Sequence, residues 1–326
     1  MSVSAKSDKQ TGGTLEKADL ENFPVAPFFL PAAWRTDLMA VYGFARLVDD
    51  AGDGDLADPA GTADLLGVQT PAEDETPAGD GTPAGDGTSG DRTAFRLALL
   101  DGLERDLDRA FATAGDPAAP DGPRHPLIRA LVPLAAREAV TDEPFRRLIE
   151  ANRVDQTTTR YRDWEELLGY CRLSADPVGR LVLALAGEAT EERIAWSDAI
   201  CTGLQIVEHL QDVAEDLARG RIYLPAEDMA RFGVTEADLA APAAAPPVRQ
   251  LIASEAARAR TLLDRGAPLV GTVRGRLRLL LAGFTAGGYA ALAAIESAGF
   301  DVLAHQAKPD KRRLALQAAA LFAKGR

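Results

Sequence analysis

The stretch Leu38-Met-Ala-Val41-Tyr42-Gly-Phe-Ala45-Arg46-Leu-Val-Asp49-Asp50-Ala-Gly-Asp53 decides how the chain is read. Leu38, Val41, Tyr42 and Ala45 fall at i, i+3, i+4 and i+7, the period of an amphipathic helix rather than a strand. The pattern then ends in acids. Asp49 and Asp53 stand four apart and Asp50 and Asp53 three apart, so their carboxylates can converge on one helical face. Like charges this close repel, and carboxylates near a helix C-terminus meet the unfavourable end of its dipole. The cluster therefore costs stability unless a cation or solvent screens it.

A second acidic run lies far along the chain, Gln205-Ile-Val-Glu208-His209-Leu-Gln211-Asp212-Val-Ala-Glu215-Asp216. Glu208, Asp212 and Asp216 at i, i+4 and i+8 predict a longitudinal row of acids on one helix, beside an apolar face. Oxygen donors in two such rows suit magnesium, a hard cation that keeps several waters and bridges to substrate phosphates. One row alone is better explained by a helix end or a solvated helix face; two rows, each set in an apolar helix, point to a metal-diphosphate site. His209 reads as a packed or partly exposed histidine rather than a ligand, because magnesium prefers oxygen.

Working outward, Leu97, Leu100, Leu103 and Leu107 keep a helical stripe, and further helices are predicted near 126–140, 142–155, 163–171, 174–187, 191–219, 246–265, 273–298 and 308–324. Pro133, Pro144, Gly187, Gly220 and Gly266-Ala-Pro268 supply the turn signals between them, and no convincing alternating strand is present. The expected architecture is a single all-α domain spanning 21–326, its helices packed around a central apolar cavity. Residues 1–20 are polar, lack the apolar stretch of a secretory signal and are expected to be a disordered lead. Residues 58–91 repeat TPAEDE, TPAGDG, TPAGDG and TSGD, a Pro, Gly and acid-rich composition expected to form a disordered insert. The uncharged-apolar run Leu279 to Ile295 falls just short of the ~18 residues of a membrane span and reads as a buried helix. Its Gly283, Gly287 and Gly288 serve either close helix packing or room for a long apolar chain.

Composition sets the class. Across 326 residues, 46% hydrophobic and 26% charged positions exclude a wholly disordered or collagenous chain. Thirty-six Lys and Arg against 49 Asp and Glu give a net charge of −13, so no general basic field attracts nucleic acid. The 58–91 stretch holds eight acids and no Lys or Arg, which leaves −5 for the remainder. Cys171 and Cys201 lack metal-ligand spacing and are too few for a disulfide framework, as in a reducing cytoplasm.

At the two acidic clusters the sequence resembles the squalene/phytoene synthase family. Asp155-Gln156-Thr-Thr-Thr-Arg160-Tyr161-Arg-Asp-Trp164, Tyr170-Cys171 and Gly220-Arg221-Ile-Tyr223-Leu-Pro225 match in order, and the likeness runs from Glu21 to about Val302 outside the insert. Glu21-Asn-Phe-Pro-Val-Ala26 and Ser174-Ala-Asp176-Pro-Val-Gly179 are similar to the bacterial hydroxysqualene synthase branch, which feeds hopanoid synthesis. The resemblance implies a class I isoprenoid synthase-like bundle and a Mg2+ cofactor. Asp49, Asp50, Asp53, Glu208, Asp212 and Asp216 would be the metal-holding acids. Glu208 stands where many relatives have asparagine, so it either tightens the metal or marks a changed contact. Arg46 and Arg221 would bind the diphosphate, joined by Tyr223, while Tyr42 and Tyr170 would line the reaction cavity. These three tyrosines are the catalytic candidates.

The implied reaction converts presqualene diphosphate and water to hydroxysqualene and diphosphate, with no hydride donor. The alternatives are head-to-head joining of two prenyl diphosphates to presqualene diphosphate or phytoene, and, in another class, a noncatalytic binding or assembly factor on the same scaffold. The expected partner is a prenyl diphosphate, presqualene or farnesyl. Lipid substrates also admit peripheral contact with the inner face of the cell membrane, helped by Lys308, Lys311, Arg312 and Arg313, and association with other squalene-pathway enzymes. No residue is singled out for positioning the water; the resemblance implies polar residues near Ser174 and Asp176 as candidates, because their segment marks the branch.

Overall fold

The computed structural model describes residues 14–15, 26–70, 87–116, 121–304 and 311–324. The lead at 1–20, apart from Thr14 and Leu15, the core of the insert at 71–86 and Lys308 lie outside them. The described residues are helical, with no strand among them and one isolated bridge between Arg160 and Ile222. The helices fall into two compact units, 1–157 and 158–326, a subdivision the sequence did not display.

The first unit contains α1 (Ala32–Asp53), α2 (Pro59–Leu66), α3 (Gly87–Gly115), the short α4 (Pro126–Arg129) and α5 (Val132–Ala135), and α6 (Glu143–Val154). The buried face of α1, Val41, Phe44, Leu47, Val48 and Ala51, packs against α3 and α6. Phe44 meets Phe145 of α6 edge-on at 5.2 Å, close to the preferred geometry of aromatic pairs. Leu100, Leu103 and Leu107 of α3 and Ile149 of α6 are fully buried in the same core. The predicted helix at 126–140 is two short turns instead; Pro133 enters within the first positions of α5, where its missing N–H costs nothing.

The stretch expected to be one unstructured insert from 58 to 91 differs at both ends. Asp58 accepts the N–H of Gly61 at 2.9 Å and Pro59 opens α2, so a capped helix forms where composition suggested coil. Residues 87–91 already belong to α3.

The second unit contains α7 (Trp164–Ser174), α8 (Asp176–Leu185), α9 (Glu191–Gln211), α10 (Val213–Ala218), α11 (Ala226–Phe232), α12 (Glu236–Leu239), α13 (Pro246–Gly266), α14 (Leu269–Thr272), α15 (Gly275–Ser297) and α16 (Lys311–Lys324). Helix α9 is its centre, packing most extensively on α13 and also on α8 and α15. At Gly288 of α15 a Cβ would come within 2.9 Å of side-chain carbons of Leu263 and Leu204, so this glycine serves close helix packing. Nothing lies within 4 Å of the corresponding position at Gly283.

Helix α15 is long and apolar enough to cross a membrane by length and composition, yet 67% of its most apolar window is buried by the protein itself. Its Arg278 stacks on Phe322 of α16, 4.8 Å from the ring centre, and donates to the Phe322 carbonyl.

Candidate active site

In the first unit the candidates collect on one stripe of α1. Tyr42, Arg46, Asp49 and Asp53 recur at i, i+4, i+7 and i+11 along an unbroken helix and so share a face. Tyr42, Arg46 and Asp53 are half-buried, while the Asp49 side chain is exposed. Protein nevertheless surrounds Asp49 closely enough that burial, more than the neighbouring charges of Asp53 and Asp50, pushes its carboxyl up to about 6. A hydrogen bond from Asn152 and the charge of Arg46 act in the opposite direction. Asp50 is different: it is 3% exposed and ion-paired with Arg46, Nε to Oδ1 at 2.9 Å.

Two residues of α6 and its end hold this acidic terminus, and neither was singled out for a role from sequence. Asn152 Nδ2 donates to Asp49 Oδ1 at 2.9 Å and to the Leu148 carbonyl at 3.2 Å. Gln156 Nε2 donates to the carbonyls of Gly52 and Asn152 at 2.9 and 3.0 Å. Gly52 is required between them, because a Cβ there would sit 2.2 Å from Asn152 Oδ1. The signal was available: 152 and 156 stand four apart, overlapping the Asp155-Gln156 motif.

In the second unit the expected row of acids is bent. Helix α9 stops at Gln211 and α10 begins at Val213, with Asp212 at φ −107° and ψ 13° between them, where one helix over 191–219 was predicted. The Asp212 side chain makes no capping hydrogen bond, but Glu215 and Asp216 in the first turn of α10 suit the positive end of its dipole, which favours a helix start here. The backbone bonds Asp212 N–H to Glu208 O (3.0 Å) and Asp216 N–H to Asp212 O (2.8 Å) persist on either side. Glu208 is exposed and Asp212 and Asp216 half-buried. Burial, then the charges of Asp216 and Glu215, raise the Asp212 carboxyl above its usual range.

Beside this bend the two remaining motifs are zipped together. The Ile222 N–H donates to Thr159 O at 2.9 Å and the Ala226 N–H to Tyr161 O at 2.9 Å, making the 159–162 and 222–227 segments neighbours. Arg160 clamps the pair, reaching both Glu236 oxygens at 2.7 and 2.8 Å and the Gly220 carbonyl at 2.7 Å. The Arg221 N–H donates to Asp216 O at 2.8 Å, which ties the half-buried Arg221 to the second acidic row.

The pairing assembles an aromatic cluster. Tyr161, Tyr170 and Tyr223 are buried with ring centres 5.5 to 5.6 Å apart. His209 stacks on Tyr223 at 3.8 Å and 12°, and its Nδ1 lies 3.8 Å from Asp216 Oδ2. Tyr170, expected with Tyr42 at the cavity wall, and Tyr223, expected beside the diphosphate, thus meet in one cluster that Tyr161 completes. His209, read as a packed or partly exposed histidine, packs directly on a catalytic candidate.

Among the described residues no three carboxylates, imidazoles or thiols approach closely enough to enclose a metal ion by themselves. The donor chemistry still fits magnesium, which is commonly held by one or two carboxylates with substrate phosphates and water completing the shell. Asp49 and Asp212 are both carboxyls whose ionisation burial opposes, the situation a hard cation relieves.

The squalene/phytoene synthase family model matches residues 17–314. The chain is 32% identical to the hydroxysqualene synthase of Zymomonas mobilis, over 75% of this chain and 68% of that protein, and 32% identical to that of Rhodopseudomonas palustris, over 78% and 72%. It is 34% identical to the 15-cis-phytoene synthase of Synechococcus elongatus, over 67% and 61%. Among solved structures, squalene synthase HpnC from Alicyclobacillus acidocaldarius superposes with a TM-score of 0.68 at 39% identity, covering 92% of this chain and 97% of that one. A dehydrosqualene synthase with a bound ligand shares the fold, with a TM-score of 0.70 at 21% identity over 98% of both chains. With two acidic helix ends, the zipped motifs and these likenesses together, the chain belongs to the squalene/phytoene synthase family.

Proposed function

We propose that this family member is a hydroxysqualene synthase, ionising presqualene diphosphate and adding water to give hydroxysqualene and diphosphate. The observation that carries the reading is similarity, at 32 to 33% identity over three quarters or more of the chain, to three proteins of that name. Breaking the carbon-oxygen bond leaves diphosphate and a carbocation, so catalysis needs the departing anion stabilised more in the transition state than in the substrate. Asp49 and Asp53 on α1 and Asp212 and Asp216 around the α9 bend are the residues that would hold Mg2+, with Asp50 and Glu208 beside them. Bound magnesium would neutralise charge developing on the diphosphate oxygens. Arg46 in the first unit and Arg221 in the second, with Tyr223 beside Arg221, are the groups that would contact diphosphate oxygens, and the clustered faces of Tyr161, Tyr170 and Tyr223 offer negative quadrupoles to a cation.

The phytoene synthase relatives favour a second reading, head-to-head joining of two prenyl diphosphates. One experiment separates the two. The purified protein is incubated with Mg2+ in oxygen-18 water and given presqualene diphosphate, farnesyl diphosphate or geranylgeranyl diphosphate, followed by mass spectrometry. Hydroxysqualene carrying the label, from presqualene diphosphate, is the expected product. Phytoene, or presqualene diphosphate accumulating from farnesyl diphosphate, would replace this reading with the second.

A further inference from the structure

A second group of polar side chains, with Asp176 and Thr202 buried and Ser174 half-buried, lies on α7, α8 and α9, of which α7 and α9 also carry members of the aromatic cluster. Ser174 ends α7, four residues after Tyr170 and on the same helical face. Asp176 opens α8 immediately beyond, with only Ala175 between. Thr202 lies on α9 seven residues, two turns, before His209, so it too shares a face with a member of the cluster. Taking the helical rise, Ser174 is about 6 Å along α7 from Tyr170, and Thr202 about 10 Å along α9 from His209.

Asp176 and Thr202 are hydrogen-bonded to each other, and Ser174 stands two residues before Asp176 in the chain. Thr202 Oγ1 donates to Asp176 Oδ1 at 2.8 Å, and Asp176 is 3% exposed. Ser174 Oγ is buried, and among the described residues it has no hydrogen-bond partner. A buried hydroxyl left unpaired is costly, and the common remedy is a water held by two or more polar groups. Resting on the hydroxysqualene reading, we infer that Ser174 and Asp176 hold the water molecule that captures the carbocation, with Asp176 accepting its proton.

The step balances without any redox partner. The carbon-oxygen bond to diphosphate breaks with its electron pair leaving on diphosphate. A lone pair of the held water then forms a bond to the cationic carbon, and the resulting oxonium passes one proton to the Asp176 carboxylate, which returns it to solvent. Presqualene diphosphate and water give hydroxysqualene, diphosphate and a proton. Burial, then the charge of Asp198, push the Asp176 carboxyl up to about 7, against the Thr202 bond and the charges of Arg180 and Arg172. A base of that strength suits proton transfer near neutral pH. The facing groups do not compete: Asp198 is paired with Arg180 at 2.7 Å, and burial pushes the Cys171 and Cys201 thiols up to about 12. Carboxylate and cation also attract, so the same group steadies the intermediate it helps to quench.

If Asp176 and Thr202 instead merely fasten α8 to α9, the products would not change. The test is the ratio of hydroxysqualene formed to diphosphate released from presqualene diphosphate and Mg2+, in the wild type, Asp176→Asn, Ser174→Ala and Thr202→Val, each checked for folding by circular dichroism. Asp176→Asn keeps the shape and should lower the ratio at least tenfold, diverting the cation to elimination products; Ser174→Ala should lower it severalfold. Ratios within twofold of wild type in the folded variants would overturn the inference, as would a folded Asp176→Asn that releases no diphosphate, since water capture follows ionisation. Should Asp176→Asn fail to fold, Ser174→Ala decides by the same ratio. A wild type that releases no diphosphate from presqualene diphosphate would remove the function reading itself and this inference with it.

Discussion

Asn152 and Asp49 are joined across the α1–α6 packing of the first unit by a hydrogen bond of 2.9 Å, with Gly52 leaving the space that lets Asn152 reach. A hydrogen bond to a charged group contributes about 1.5–3 kcal/mol. Asn152→Ala should therefore reduce magnesium-dependent diphosphate release by roughly tenfold to a hundredfold. Gly52→Ala, which drives a methyl into the Asn152 amide, should do the same. Because both act on one contact, the double variant should be scarcely worse than either single one, and additive losses in a double-mutant cycle would show separate roles.

Asp50 should separate from Asp49 and Asp53 in its behaviour. Its carboxylate is buried against Arg46 on the same helix, and removing it leaves a half-buried guanidinium without that partner. Asp50→Ala is expected to destabilise the fold by about 1–3 kcal/mol, discounted from a fully buried pair because Arg46 reaches solvent. Asp53→Ala should leave the melting temperature nearly unchanged while abolishing magnesium-dependent diphosphate release. Thermal melts beside a pyrophosphate assay, with and without chelator, read both effects.

His125 gives the first unit a dependence on acid. It is buried, its Nδ1 accepts the Leu127 N–H at 3.3 Å as a helix cap, and burial lowers its pKa to about 4 despite the nearby Asp106 carboxylate. The unfolded chain takes up this proton near pH 6.5, so stability is fully present above that value and is lost as pH falls towards 4. Between pH 7 and pH 5 the loss from this group is about 2 kcal/mol. Urea midpoints for the wild type and His125→Asn, which keeps a capping acceptor, should converge as pH falls. Parallel curves would show that His125 is not the titrating group.

Helices with a clear apolar stripe were legible: α1, α13 and α15 lie where periodicity placed them, and α9 does so as far as Gln211, because burial of one face dictates both pattern and structure. The limits of that reading have local causes. The 59–66 helix depends on Asp58 and Pro59 at its start, a signal swamped by the surrounding Pro and Gly composition. The break at Asp212 is a local departure of its backbone from helical angles, which the i, i+4 spacing of the acids does not register. Acid rows were visible because i, i+4 repetition survives in the chain, whereas Asn152 and the Arg160 clamp act through partners 103 and 76 residues away. No local pattern encodes such a contact.

Arg160 offers the sharpest distinction between holding the fold and shaping the site. Its guanidinium is partly exposed, so the ion pair with Glu236 should be worth only about 1 kcal/mol of stability. The same side chain also binds the Gly220 carbonyl and thereby fixes the segment that carries Tyr223 onto His209 and Tyr161. Arg160→Ala is expected to shift the melting temperature by a few degrees at most while lowering kcat on the prenyl diphosphate about tenfold or more, since small displacements of catalytic groups carry large penalties. Lysine should not rescue it: one ammonium cannot span both Glu236 oxygens and the carbonyl as the planar fork does. Glu236→Gln keeps a hydrogen-bond acceptor for the arginine and should retain most activity, so an equal loss in that variant would assign the effect to charge rather than to the clamp.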